Sequence, residues 1–224
     1  MICLDLETIP IENPELVYGT EYYDKYKPKS KSNEDLNLDA LNVDFGQIAC
    51  IGICQFNEKG INESKMFFPE MDENYLNFTK TKPNREAWLL GEFWDFVKTK
   101  EGIFSTVTFN GLSFDLPFLL TRSLIHEIIP PVSPDMLSLR KYTYRPHFDI
   151  MQALSFWGAT KFKSLDFYTK RFKIKTKETC KSSEIYDLWK LGEYQKIAEH
   201  CQEDVRKTYA ICKKIYRMYG VTIV

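Results

Sequence analysis

In Ile2-Cys3-Leu4-Asp5-Leu6-Glu7, residues 2–6 read as a strand, whose alternation puts Ile2, Leu4 and Leu6 on one face and Cys3, Asp5 and Glu7 on the other. The first face asks for a core. The second sets two carboxylates a few ångströms apart, which repel unless a divalent cation sits between them. A strand with one wet face is the other reading, since Asp-x-Glu alone is common. Further on, 47–56 (Gln-Ile-Ala-Cys-Ile-Gly-Ile-Cys-Gln-Phe) is a nearly continuous apolar run, as in a buried strand. Asn57-Glu58-Lys59-Gly60 supplies a turn, and 64–68 reads as its antiparallel partner. Between the first strand and this hairpin, about 13–44 is polar and aperiodic, predicting a long surface loop or insertion.

Asn84 is placed to cap a helix over 85–99, with Trp88, Leu89, Phe93, Phe96 and Val97 on one stripe. A β-branched and aromatic strand at 103–109 ends at the turn signal Asn110-Gly111. Helix 116–125 follows, with Pro117 in its first turn, and Pro130, Pro131 and Pro134 mark a break. Beyond it, helices are predicted at about 149–157, 164–172 (opened by Ser164), 182–191 and 193–218. This order predicts one α/β domain over residues 1–224, with a helical C-terminal half.

The chain has 224 residues, 44% of them hydrophobic and 27% charged, which excludes disorder, collagen and coiled coil. No apolar run approaches the roughly 20 residues that span a bilayer, and the N-terminus has no signal-peptide pattern. Six cysteines without a CxxC pair read as reduced, buried thiols. The expectation is an intracellular, cytoplasmic protein (a nucleoid or a viral replication site included). The net charge of −1 hides a split: residues 137–224 carry +9 and residues 1–136 carry −10. A basic surface for a polyanion beside an acidic metal site fits this, as do two solvated faces.

Two further pieces carry chemistry. In Phe109-Asn110-Gly111-Leu112-Ser113-Phe114-Asp115-Leu116-Pro117, Asp115 opens a helix just after a strand, either as an N-cap or as a carboxylate at the mouth of the sheet. In Glu199-His200-Cys201-Gln202-Glu203-Asp204, His200 and Asp204 are i and i+4, on one helix face beside the stripe Val205, Tyr209, Cys212, Ile215. Such a pair is also an ordinary surface contact.

Together, Asp5-x-Glu7, Asn110-Gly111-x-x-Phe114-Asp115-x-Pro117 and His200-x-x-x-Asp204 resemble the motifs of the DEDD 3′–5′ exonucleases. The likeness is greatest to the proofreading exonuclease domain of family B DNA polymerases and its stand-alone relatives, and it spans about Ile2 to Tyr216. It implies an RNase H-like fold, with a central mixed sheet flanked by helices. It also implies two divalent cations, Mg²⁺ or Mn²⁺, held by Asp5, Glu7, Asp115 and Asp204, and release of nucleoside 5′-monophosphates from the 3′ end of single-stranded DNA or RNA. Hard cations need oxygen ligands, and two of them stabilise both the attacking and the leaving oxygen. The resemblance places Thr8, Asn110 and Phe114 near the terminal nucleotide.

His200 departs from the family. The tyrosine branch carries Tyr four residues before the last Asp, and the histidine branch carries His five before. Here His stands at the tyrosine spacing. Position −5, Glu199, would be turned away by about 140°. A neutral imidazole is a better base at neutral pH than a phenol, and Glu203 is the nearby alternative. The basic run Lys161, Lys163, Lys170, Arg171, Lys173, Lys175 and Lys177 is either a backbone track or a solvated face. His147 is either structural or a substrate contact. An exoribonuclease on the same acids, or a nucleic-acid-binding or polymerase accessory module with an idle site, remain rival functions.

Overall fold

The first strand, β1 (Ile2–Pro10), keeps its predicted alternation. Short helices α1 (Pro14–Tyr18), α2 (Thr20–Tyr26) and α3 (Asn37–Ala40) precede the hairpin of β2 (Gly46–Asn57) and β3 (Gly60–Phe67). Then come α4 (Glu73–Leu76), α5 (Arg85–Lys98), β4 (Thr106–Thr108), α6 (Asp115–Ile125) and β5 (His147–Asp149). Helices α7 (Ile150–Leu154), α8 (Leu165–Arg171), α9 (Ile185–Lys190) and α10 (Tyr194–Tyr219) follow. The structure, a computed structural model, describes residues 1–12, 14–28, 37–78, 84–99, 105–131 and 141–219.

The strands form one sheet in the order β3-β2-β1-β4-β5. β1 pairs antiparallel with β2 and parallel with β4. This mixed sheet with flanking helices is the expected RNase H-like architecture, with the acid-bearing strand at its centre. Ile2, Leu4 and Leu6 pack with Ile51 and Ile53 against Leu89 and Phe93 of α5 and Phe118 of α6. Each fully buried side chain of this kind contributes about 1.5–3 kcal/mol. On the other face Cys3, Cys54 and Val107 meet Val205, Ile211 and Cys212 of α10. Gly52 of β2 lies directly under that helix: a Cβ there would come within 2.8 Å of Cys201 Sγ. The predicted stripe of the last helix is therefore its packed face, which carries His200 and Asp204 to the acidic side of β1.

Several expectations are corrected. The stretch 13–44 is not a plain loop. Tyr18 and Tyr23 of its first two helices pack edge-on against Phe45, at 5.6 and 5.3 Å between ring centroids. Helices of one or two turns are too short to show a stripe in sequence, and tertiary contacts hold them. Residues 13 and 29–36 of that stretch, 101–104 near the start of the fourth strand, and Pro134 lie outside the described residues. β5 is a strand that the sequence pattern does not predict, its last residue falling in the helix expected at about 149–157. Its three residues are strand only through the ladder to β4, and Asp149 then caps a shorter α7, accepting from Met151 N and Gln152 N. Phe114, not Asp115, is the N-cap of α6, so Asp115 is the first helical residue. All six cysteines are free, five of them buried. Among the described residues no helix is long and apolar enough to cross a membrane.

Candidate active site

Three elements converge on one cleft of about 430 Å³, lined by Asp5, Glu7 and Thr8 of β1, Asn110 and Phe114 of the loop before α6, Asp115, and Asp204 of α10. The acids arrive by different routes. Asp5 and Glu7 point to one side because the strand has a two-residue period. Beyond Glu7, Ala49 is the extra residue of a bulge, since Glu7 pairs with Cys50 and Thr8 with Ile48. Asp115 is tied to the same strand: its Oδ1 accepts from Leu6 N at 3.1 Å. The turn that delivers it needs glycine, because Gly111 N donates to Thr108 Oγ1 at 2.9 Å and a Cβ on Gly111 would lie 2.0 Å from that oxygen.

The electrostatics are those of an acid cluster short of cations. Burial, then the charges of Asp115, Glu7 and Asp204, push Asp5 well above the usual carboxylate range. Burial does the same to Glu7, helped by Asp204 and Asp115. Asp115 is pushed up to about 8, chiefly by burial. Among the described residues no Lys or Arg is within ion-pair reach of these three; Asp204 alone has one, Lys207 Nζ at 2.8 Å. Lys207 is itself buried and also bonds Asp166 Oδ1 at 3.0 Å. Cys201 Sγ shares a cluster with oxygens of Asp5 and Glu7, all within 4.8 Å. Burial holds it as a thiol, giving a weak bond to the Asp5 carbonyl at 3.6 Å. What faces the cleft is an all-oxygen set of four acids, three of them without a cationic partner among the described residues, the donor chemistry that suits Mg²⁺ or Mn²⁺.

His200 is buried, with Nε2 3.7 Å from Glu7 Oε1 and 3.9 Å from Asp204 Oδ2. Nδ1 is 3.0 Å from Thr179 Oγ1, and Nε2 is 3.2 Å from Ser182 Oγ. The Thr179 hydroxyl donates to the Cys180 carbonyl, so its oxygen is open to Nδ1–H, a tautomer that leaves the Nε2 lone pair on the acid side. Ser182 lines the cleft where His200 does not. Burial lowers the histidine's pKa, outweighing the nearby Asp204 charge, so the ring is neutral at neutral pH. Glu203 is not an alternative base. Arg206 and Lys177 N hold its carboxylate below the usual range despite burial, and it lines a separate cleft with them.

Thr8 lines the cleft, but its hydroxyl donates to Ala40 O at 2.6 Å. Phe114 packs on Phe118 at 4.9 Å between ring centroids and also lines the cleft. His147 lies away from it, buried and bonded to Thr108 Oγ1 at 2.8 Å, a structural histidine. The seven basic residues of 161–177 are all exposed, and none lines the acidic cleft; Lys177 lines the cleft of Glu203. Sequence reasoning missed Ser182, Tyr186 and Lys207. The first two carry no local signal, whereas Lys207 sits three residues after Asp204 on the same helix face and was findable by spacing.

A family model described as a predicted 3′–5′ exonuclease related to the exonuclease domain of PolB matches residues 44–222. No curated protein matches. Among solved structures, the family B DNA polymerase of the hyperthermophilic archaeon Pyrobaculum calidifontis is similar, with a TM-score of 0.58 and 15% identity. The match covers 96% of this chain and 24% of that one, so the chain spans about a quarter of the polymerase's length. At that identity the likeness concerns the fold. Since the family match takes in most of the chain, the protein belongs to the family of predicted 3′–5′ exonucleases related to the PolB exonuclease domain.

Proposed function

We propose that this protein is a metal-dependent 3′–5′ exonuclease that removes nucleotides from single-stranded or frayed 3′ ends of DNA as nucleoside 5′-monophosphates. One observation carries the reading: four carboxylates from three elements line one cleft, and three of them lack a cationic partner among the described residues. Asp5, Glu7, Asp115 and Asp204 would hold two divalent cations, Mg²⁺ or Mn²⁺. When bound, such ions supply Lewis acidity to both the attacking and the leaving oxygen of the scissile phosphodiester. His200 accepts the proton of the attacking water at Nε2, which faces Glu7 and Asp204. Ser182, between Nε2 and the cleft, is placed to pass that proton. Asn110 and Phe114 hold the terminal nucleotide, the amide by hydrogen bonding and the ring by stacking, while Thr8 contributes a hydroxyl oxygen. The five strands among the described residues join in one sheet, which supports reading residues 1–224 as one exonuclease domain.

The test uses 5′-labelled and 3′-labelled oligodeoxynucleotides with Mg²⁺, Mn²⁺ or EDTA, and a matched oligoribonucleotide. The expected result is a ladder shortening from the 3′ end in metal and none in EDTA. Internal cuts, or activity that survives EDTA, would overturn the proposal. Faster loss of the ribo-oligomer would move the substrate to RNA.

A further inference from the structure

A second groove, of about 460 Å³, adjoins the acidic cleft, and Asn110 lines both. Its walls include Ser113, Lys141, Tyr142, Gln152, Trp157 and Phe162, and among the described residues that line it none is acidic. The motifs of the acidic cleft do not account for it. Tyr142 is 73% exposed and Phe162 51%, large rings left in water at the rim. The rings of Tyr142 and Trp157 are held in place. Tyr142 and Tyr144 lie 5.1 and 5.9 Å from Trp157 between centroids, and Trp157 Nε1 donates to Tyr144 OH at 3.3 Å.

The backbone beneath them is in a conformation that bulky side chains rarely adopt: φ is 65° at Tyr142, 52° at Phe156 and 58° at Trp157. Such residues persist where the surrounding structure over-determines them, often at ligand clamps. Asp149 ties groove and cleft together. It accepts from Asn110 N and Leu112 N on one side and from Met151 N and Gln152 N on the other. Lys141 is on the groove wall, and Lys161 and Lys163 are exposed on either side of Phe162. Exposed rings with lysines between them, leading to the proposed site of cleavage, match the stacking faces and phosphates of one strand.

Building on the exonuclease reading, we propose that this groove is the track for the single-stranded DNA just 5′ of the scissile nucleotide, its bases stacking on Trp157, Tyr142 and Phe162. The test measures binding by the whole chain in EDTA, from the anisotropy of labelled oligothymidylates of about two to eight nucleotides, within the span of a stacking platform. Wild-type affinity should climb with length until the groove is filled. Trp157→Ala and Tyr142→Ala should each weaken the longer oligomers about tenfold and the dinucleotide, which has a single nucleotide 5′ of the scissile one, much less. Trp157→Phe, which keeps a ring, should retain most of the gain and guards against a folding defect. Equal loss at every length, or no loss, would overturn the proposal. The two readings fail separately: a wild-type protein that binds with this length dependence but hydrolyses nothing in Mg²⁺ loses the nuclease function and keeps the groove. One that hydrolyses without it keeps the function and loses the groove.

Discussion

His200 is where this chain leaves the pattern it otherwise resembles. In place of a phenol it sets an imidazole behind Ser182, and burial keeps the ring neutral against the pull of Asp204. His200→Ala should slow single-turnover cleavage of a 5′-labelled oligomer by about 10²-fold, the lower range for a positioned base, with Mn²⁺ binding intact. His200→Tyr should recover part of the loss, since position −4 points to the same place on the helix. A loss under about threefold for the Ala variant would leave His200 a packing residue only. Lys207 shows the other use of a buried charge. Burial opposes its ammonium, but the bonds from Asp204 and Asp166 outweigh that and raise its pKa.

At the scale of elements, the short parallel edge β4–β5 and the loop beside it brace the site. Asp149 is the keystone, one carboxylate accepting four backbone N–H groups from the Asn110 loop and the first turn of α7. Asp149→Ala should lower unfolding free energy by about 3 kcal/mol in urea titration, combining a lost cap with stranded buried donors. Asp149→Asn, which keeps one carbonyl oxygen, should lose less. His147 on β5 makes the edge sensitive to pH. Burial lowers its pKa to about 4, and Nδ1 has no partner among the described residues. Because the folded value is depressed, the unfolded chain takes up the proton first. The stability is therefore present above about pH 6.5, the free value, and is lost as pH falls from there to about 4, by up to about 3 kcal/mol. His147→Gln should flatten that limb of a stability–pH curve; an unchanged slope would contradict the assignment.

Across the whole molecule, the proposed metal site would couple stability to cation binding. Half-buried Asp5 and buried Glu7 and Asp115 lie together without cationic partners among the described residues, which costs the metal-free fold energy that a bound divalent cation would return. Mn²⁺ at about 100 times its dissociation constant should stabilise the protein by about 2.7 kcal/mol. For a chain of this size that raises the melting temperature by roughly 5–10 °C. Asp5→Asn should melt higher than wild type without metal and gain much less from it. A calorimetric scan in which Mn²⁺ shifts both proteins equally would place the metal elsewhere. The charge split between the chain's two parts is borne differently: the basic run is exposed away from the acidic cleft, and only its first lysines flank the aromatic groove.

Local patterning sufficed wherever the determining neighbours are close in sequence. The alternation of 2–7, the apolar run of β2 and the caps at Asn84 and Ser164 each encode an element through residues two to four apart; β2, α5 and α8 formed within a residue of the bounds read, whereas β1 runs four residues beyond its expected end. The i,i+4 spacing likewise set His200 and Asp204 on one face. Tertiary structure decided what depends on distant partners. β5 is a strand only because β4 lies beside it, and α1 and α2 stand against Phe45. Phe114 took the capping position that Asp115 was free to fill, leaving that carboxylate to Leu6 N, 109 residues away. Whether His200 carries a charge, and whether Glu203 is free to act, turned on desolvation and on Arg206. A sequence records spacing along the chain, whereas burial and charge balance are summed over neighbours that only the folded chain assembles.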